Sequence, residues 1–129
     1  MALEAVEKGK GEGILRVSGR DPQEITSEKV FEAAQSGDQT AQEIFNEVGR
    51  SVGLGLVNLI HLFNPEKIII GGKVSRAWDY FIGSAMETVR ERSMVGPRKS
   101  LQIVKAECED EAGMLGAAYA ALRHNVRRV

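Results

Sequence analysis

The sequence predicts an α/β fold in which a largely helical first half is followed by at least two parallel strands. Three observations carry this expectation. Residues 39 to 63 repeat apolar side chains at three- and four-residue spacing, the period of an amphipathic helix. The run Lys67-Ile68-Ile69-Ile70 places three isoleucines in a row, which suits a strand of a sheet covered on both faces. From there the order strand, helix, strand, helix implies parallel strands joined by a right-handed crossover.

Taken in order, residues 2 to 8 suit a short helix, and Gly9, Gly11 and Gly13 then mark a loop. Ile14 to Val17 is apolar but too short to separate strand from helix. Ile25 and Val30 can form a hydrophobic staple around an N-cap at Thr26, Ser36-Gly37 closes that helix, and Asp38 caps the next. The helix over 39–63 would span roughly 37 Å. It carries a stripe of Ala41, Ile44, Phe45, Val48 and Val52. From Leu54 the apolar residues go nearly all round (Leu56, Val57, Leu59, Ile60, Leu62, Phe63), which argues burial on most sides. Gly49, Gly53 and Gly55 each cost about 1 kcal/mol against alanine in a helix interior, so close approach by another element is the expected compensation. Asn64-Pro65 ends this helix and Lys67 to Ile70 is the first strand. Arg76 to Arg92 is a second long helix with Trp78, Phe81, Ile82, Ala85, Met86 and Val89 on one side, broken by Gly96-Pro97. Leu101 to Ala106 is the second strand. The acidic loop Glu107 to Glu111 then leads into a small-residue helix, GMLGAAYAALR.

The 129 residues suffice for one domain with a single core. With 17 basic against 18 acidic residues, neither a nucleic-acid footprint nor a membrane-adsorbing face is indicated. Arg123, Arg127 and Arg128 read as a solvated helix end. Gly55, Asn58 and His61 interrupt the longest apolar stretch, so no membrane span is expected. The first residues lack the apolar core of a secretion signal, which makes the cytoplasm the expected location. The single cysteine, Cys108, permits neither an internal disulfide nor a cysteine-rich metal site.

Gly71-Gly72 falls at the carboxyl end of a parallel strand, just before a helix. Ligands of open α/β sheets bind there, and a backbone without side chains can approach a phosphate, ribose or base closely. A tight turn that needs positive φ is the alternative reading. Lys73 does not make a phosphate-binding P-loop, because Lys67 stands where that motif needs glycine and Val74 where it needs Ser or Thr. Glu109, Asp110 and Glu111, followed by Ala112-Gly113, form a second turn that should lie beside the first if the strands are neighbours. Acids before a helix also simply suit its dipole. Gly113 and Gly116 would let the last helix pack tightly or admit a ligand. His61 reads as a core or interface histidine, His124 as solvated and Cys108 as a structural thiol. From spacing alone the sequence yields a nucleotide-sized site on two glycine turns, and no chemistry.

The segments ITSEKVFEAAQSGDQTAQEIF, GLGLVNLIHLFNPEKIIIGGKVS and EDEAGMLGAAYAAL resemble the carboxyl-terminal part of the ROK family of sugar kinases and sugar-responsive repressors. The likeness runs from about Leu3 to Leu122. It implies one lobe of the actin-like ATPase (ribonuclease H-like) fold, with the whole of 1–129 as a lobe fragment: helical over 1–63, then strand–GG–helix–strand–helix over 64–129. It further implies that Gly71, Gly72 and Val74 lie against the adenosine part of ATP, that Ala112 and Gly113 line the adenine side, and that Mg2+ accompanies ATP in the intact protein. The family's phosphate loop, its Gly-Asn-Asp segment with the general base, its sugar-binding Glu-x-Gly-His and its cysteine-rich zinc loop have no counterpart here. The segment is thus expected to hold no catalytic residue and no metal site, and to be the terminal part of a larger protein. Asp110-Glu111-Ala112-Gly113 departs mildly from the family's Asp-Asp-Ala-Gly. Two functions fit: the ATP-contacting part of a hexose-phosphorylating kinase, or the effector and dimerisation lobe of a repressor that binds DNA through an upstream helix-turn-helix. The intact second glycine favours the kinase, since repressors of this kind often carry a bulkier residue there. The long apolar stripe and an incomplete sheet lead to the expectation of a homo-oligomer.

Overall fold

Asp38 ties the first half of the molecule together. In the computed structural model, which describes residues 1–93, 101–108 and 111–126, its carboxylate accepts hydrogen bonds from Ala41 N and Gly13 N, both at 2.8 Å. One bond caps a long helix, and the other holds a short one against it. The chain opens with α1 (Ala2–Glu7), α2 (Glu12–Val17) and α3 (Ser27–Gln35), with a 3-10 turn over Pro22–Glu24. Ile14–Val17 is therefore helix, and the expected glycine loop ends at Gly11, whose left-handed backbone (φ 78°, ψ 42°) starts α2. Thr26 Oγ1 caps α3 by accepting from Lys29 N at 3.3 Å, and Gly37 leaves α3 at φ 87°.

The long helix α4 (Gln39–Phe63) has the predicted bounds. It stops where Asn64 turns left-handed at φ 43°, a conformation asparagine tolerates better than most residues. Then come β1 (Lys67–Ile70), a 3-10 turn (Lys73–Ala77), α5 (Trp78–Arg92), β2 (Gln102–Lys105) and α6 (Ala112–Val126). The α-helix expected from Arg76 thus starts at Trp78, behind that tighter turn. The predicted break at Gly96-Pro97 lies outside the described residues. The strands pair in parallel, with Lys67 opposite Gln102 and Ile70 opposite Lys105.

The core lies where α4 crosses α5. Leu56, Val57 and Ile60 of α4 and Phe81, Ala85 and Val89 of α5 are all buried in one apolar cluster. Each fully buried large apolar side chain of this kind contributes about 1.5–3 kcal/mol. Gly49 and Gly53 make the close crossing possible: a Cβ on Gly53 would lie 2.7 Å from Ala85 O, and one on Gly49 would strike Phe81 O and Ser84 Oγ. The expected compensation thus holds at these two glycines. It fails at Gly55, which faces open space.

Three expectations of burial are corrected. Most of the stripe on α4 is covered within the chain, because Ala41 and Phe45 are buried, Ile44 and Val52 pack on the core, and Phe31 meets the rings of Phe45 and Tyr80 edge-on, while Val48 stays half-buried. The end of α4 is buried on one side only, leaving Leu62 76% and Phe63 72% exposed. The sheet is likewise covered on one face. Ile68, Ile70, Leu101 and Ile103 pack against the helices, while Ile69 is 63% exposed, because the described residues supply a helical layer on that side alone. Every described side chain of α6, from Ala112 to Arg123, is exposed. Gly113 and Gly116 therefore mediate no close packing. Among the described residues no helix is long and apolar enough to cross a membrane.

Candidate functional site

The two strands deliver their carboxyl ends side by side. Ala106 N continues the ladder by donating to Ile70 O at 2.9 Å, and a Cβ on Gly71 would come within 3.1 Å of Ala106 Cβ. Gly72 then adopts φ 78° and ψ −172°, a region open essentially to glycine alone. Its carbonyl accepts from Ser75 N at 3.0 Å and from Ser75 Oγ at 2.7 Å. Ser75 is fully buried, so these bonds satisfy its hydroxyl and fold residues 73–77 into their 3-10 turn. The tight-turn reading of the glycine pair therefore holds. The turn requires glycine at 72, and no atom lies within 4 Å of where its side chain would stand, so a ligand can reach the backbone. Val74, beside it, is 44% exposed.

Next to this turn lies a hollow of about 540 Å³ between α3 and the 73–77 segment. Phe31, Phe45, Val74 and Ala77 give it an apolar floor, and Ser27, Glu28, Lys73 and Arg76 belong to its polar lining. Sequence reasoning missed the α3 wall. The available signal was Phe31, which stands off the face that buries Val30, Ala33 and Ala34 and shares the second face with Glu28 and Gln35 at helical spacing. Lys73 Nζ reaches Glu28 Oε1 at 3.7 Å across the hollow. A hydrogen bond from its own backbone N–H, another from Ser27, and the Lys73 charge hold the Glu28 carboxyl below its ordinary pKa. Both side chains are largely exposed, and such a pair is weak enough for a ligand to displace.

Ala112 and Gly113 start α6 and are exposed, with open space around Gly113. The structure joins the two strand exits at Gly71 and Ala106. It shows no contact of Gly113 with the first turn, and Glu109 and Asp110 lie outside the described residues. His61 is exposed in the last turn of α4 rather than buried, and Cys108 is an exposed free thiol. Among the described residues no group of three or more His, Cys, Asp or Glu is gathered to hold a metal ion. What the arrangement offers is binding: a bare backbone turn, an apolar slot and a charged rim.

The ROK family model matches residues 7–124. The chain is 32% identical over 100 residues to the xylose repressor of Caldicellulosiruptor bescii, covering 78% of this chain and 25% of the repressor. It is equally 32% identical, over 105 residues, to the glucokinase of Thermotoga maritima, covering 81% of this chain and 33% of that enzyme. In three dimensions it resembles a ROK family glucokinase from Streptomyces griseus, solved in complex with glucose and AMPPNP. The TM-score is 0.78 at 27% identity, over 92% of this chain and 39% of that one. The chain spans about a quarter to a third of the length of the curated relatives it matches. Its helix-rich architecture on two parallel strands is that of ROK sugar kinases, which have the actin-like ATPase fold. With a family match over nearly its full length and a fold in common with a member of known structure, this chain belongs to the ROK family.

Proposed function

We propose that this chain is the nucleotide-contacting, carboxyl-terminal part of an ATP-dependent sugar kinase that phosphorylates a hexose hydroxyl. The observation that carries the reading is the exposed Gly71-Gly72 turn, bare at the carboxyl end of β1 and followed directly by Lys73 and Val74, which line the hollow. Adenosine would rest against Gly71, Gly72 and Val74, with Phe31 and Phe45 as an apolar floor for the base. Ala112 and Gly113 would line its other side. ATP, with Mg2+, supplies the phosphoryl group. The residues of this chain bind and orient its nucleoside end and exclude water from the base. In this reading the metal, the sugar and the general base are held by residues outside this chain. The S. griseus glucokinase, solved with AMPPNP, supports ATP as the donor.

Photolabelling tests this reading. Azido-ATP should label the 129-residue protein on peptides from 27–35 and 71–77, in competition with ATP and not with glucose. Labelling elsewhere, or none, overturns it. The second reading, the effector lobe of a sugar-responsive repressor, is favoured by the equal identity to the xylose repressor. In that case photolabelling fails, and the full-length gene product binds an operator with an affinity that changes with sugar.

A further inference from the structure

Two opposite charges from different elements face each other across the hollow, and they meet only loosely. Glu28, in the first turn of α3, and Lys73, directly after Gly72, stand 3.7 Å apart between Oε1 and Nζ, longer than a hydrogen bond. Ser27 Oγ donates to Glu28 Oε2 at 3.2 Å and holds the carboxylate at the helix start. The bonds from its own backbone N–H and from Ser27 keep this carboxyl below its ordinary pKa, so it is ionised at neutral pH. An ionised carboxylate accepts hydrogen bonds and donates none, whereas an ammonium group only donates. The two walls of the hollow thus ask for opposite kinds of ligand group.

On the nucleotide reading above, on which this assignment rests, the base lies on the apolar floor of Phe31, Phe45 and Ala77. The volume of about 540 Å³ falls in the usual range of small-molecule pockets. The sugar bonded to that base then sits at the charged rim. Its ring oxygen and the phosphate oxygens are acceptors, which a carboxylate repels. Its neighbouring 2′- and 3′-hydroxyls are donors, and one carboxylate can take both. We propose that Glu28 is the ribose-reading residue of this site: its carboxylate leaves Lys73 and accepts from the 2′- and 3′-hydroxyls, and Lys73 is left for the phosphate oxygens. Exposed pairs of this kind are held weakly, so the exchange of partners costs little. The bonds gained have a charged acceptor, which makes them stronger than bonds between neutral groups.

The test compares ATP with 2′,3′-dideoxy-ATP as competitors of azido-ATP labelling on the 129-residue protein. ATP should compete at least about tenfold better, the loss expected when bonds to a charged acceptor are removed. Glu28→Ala should bring the two nucleotides to equal strength by weakening ATP, with the helical circular dichroism unchanged because the side chain is largely exposed. Glu28→Gln keeps an acceptor oxygen without the charge and should show an intermediate ratio. Lys73→Met should weaken both nucleotides and leave their ratio as it was. Equal competition in the unsubstituted protein overturns the assignment while the nucleotide reading stands. A ratio that survives Glu28→Ala, or disappears in Lys73→Met, overturns it too, because another residue then reads the ribose. Absence of labelling removes the nucleotide reading and this assignment with it.

Discussion

At Gly72 the cost of any side chain is set by the backbone alone, since φ 78° with ψ −172° is strained for every L residue and no neighbour stands within 4 Å. Gly72→Ala should therefore destabilise the protein by about 1–3 kcal/mol, read as a fall in urea midpoint. Loss of nucleotide labelling in that variant would mix strain with steric block. Val74→Glu separates the two. Its side chain is exposed, so labelling by azido-ATP should fall at least tenfold while the urea midpoint stays put; unchanged labelling would mean that the turn serves the backbone only. Asp38 works through both carboxylate oxygens. Asp38→Ala removes a helix cap and leaves Gly13 N without its acceptor, for a combined loss of about 2–4 kcal/mol. Asp38→Asn, which keeps one acceptor oxygen, should recover part of it.

Along α4, glycines of the same local propensity should respond with opposite signs. Gly53→Ala places a methyl 2.7 Å from a backbone carbonyl of α5 and should cost about 2 kcal/mol or more. Gly55→Ala meets nothing and should stabilise the helix by up to about 1 kcal/mol. Equal effects in chemical denaturation would contradict the close crossing at Gly53. The contrast also marks what was legible in the sequence. Thr26, Asp38 and the bounds of α4 could be read because caps and periodicity are local. The glycines signalled close approach without saying which of them had a partner. The three isoleucines of β1 report the burial that the sequence is suited to, whereas Ile69 is covered only if a second layer arrives from elsewhere. In the candidate site, the bare turn was visible as Gly71-Gly72. The α3 wall was not, because Phe31 lies far away along the chain and reads as one more apolar residue of an amphipathic helix.

As a whole, the 129-residue protein should release no ADP when given ATP, Mg2+ and glucose in a coupled assay, because the proposed function assigns activation of the sugar hydroxyl to residues outside this chain; measurable turnover would overturn the division of roles proposed above. The same molecule has a simple mechanical weakness and strength. Its principal interface, α4 on α5, joins elements from either side of the short link Asn64-Pro65-Glu66. The helical half and the strand-bearing half are therefore halves of one core, and the peptide bond between them contributes little beyond holding the pieces near each other. Severed at this link, the two polypeptides should find each other again through Gly49, Gly53 and Phe81, and co-expression of residues 1–64 with 65–129 should recover the helical circular dichroism and cooperative melting that neither piece has alone. Such a pair would serve as a split reporter, its assembly tuned by the methyl at position 53.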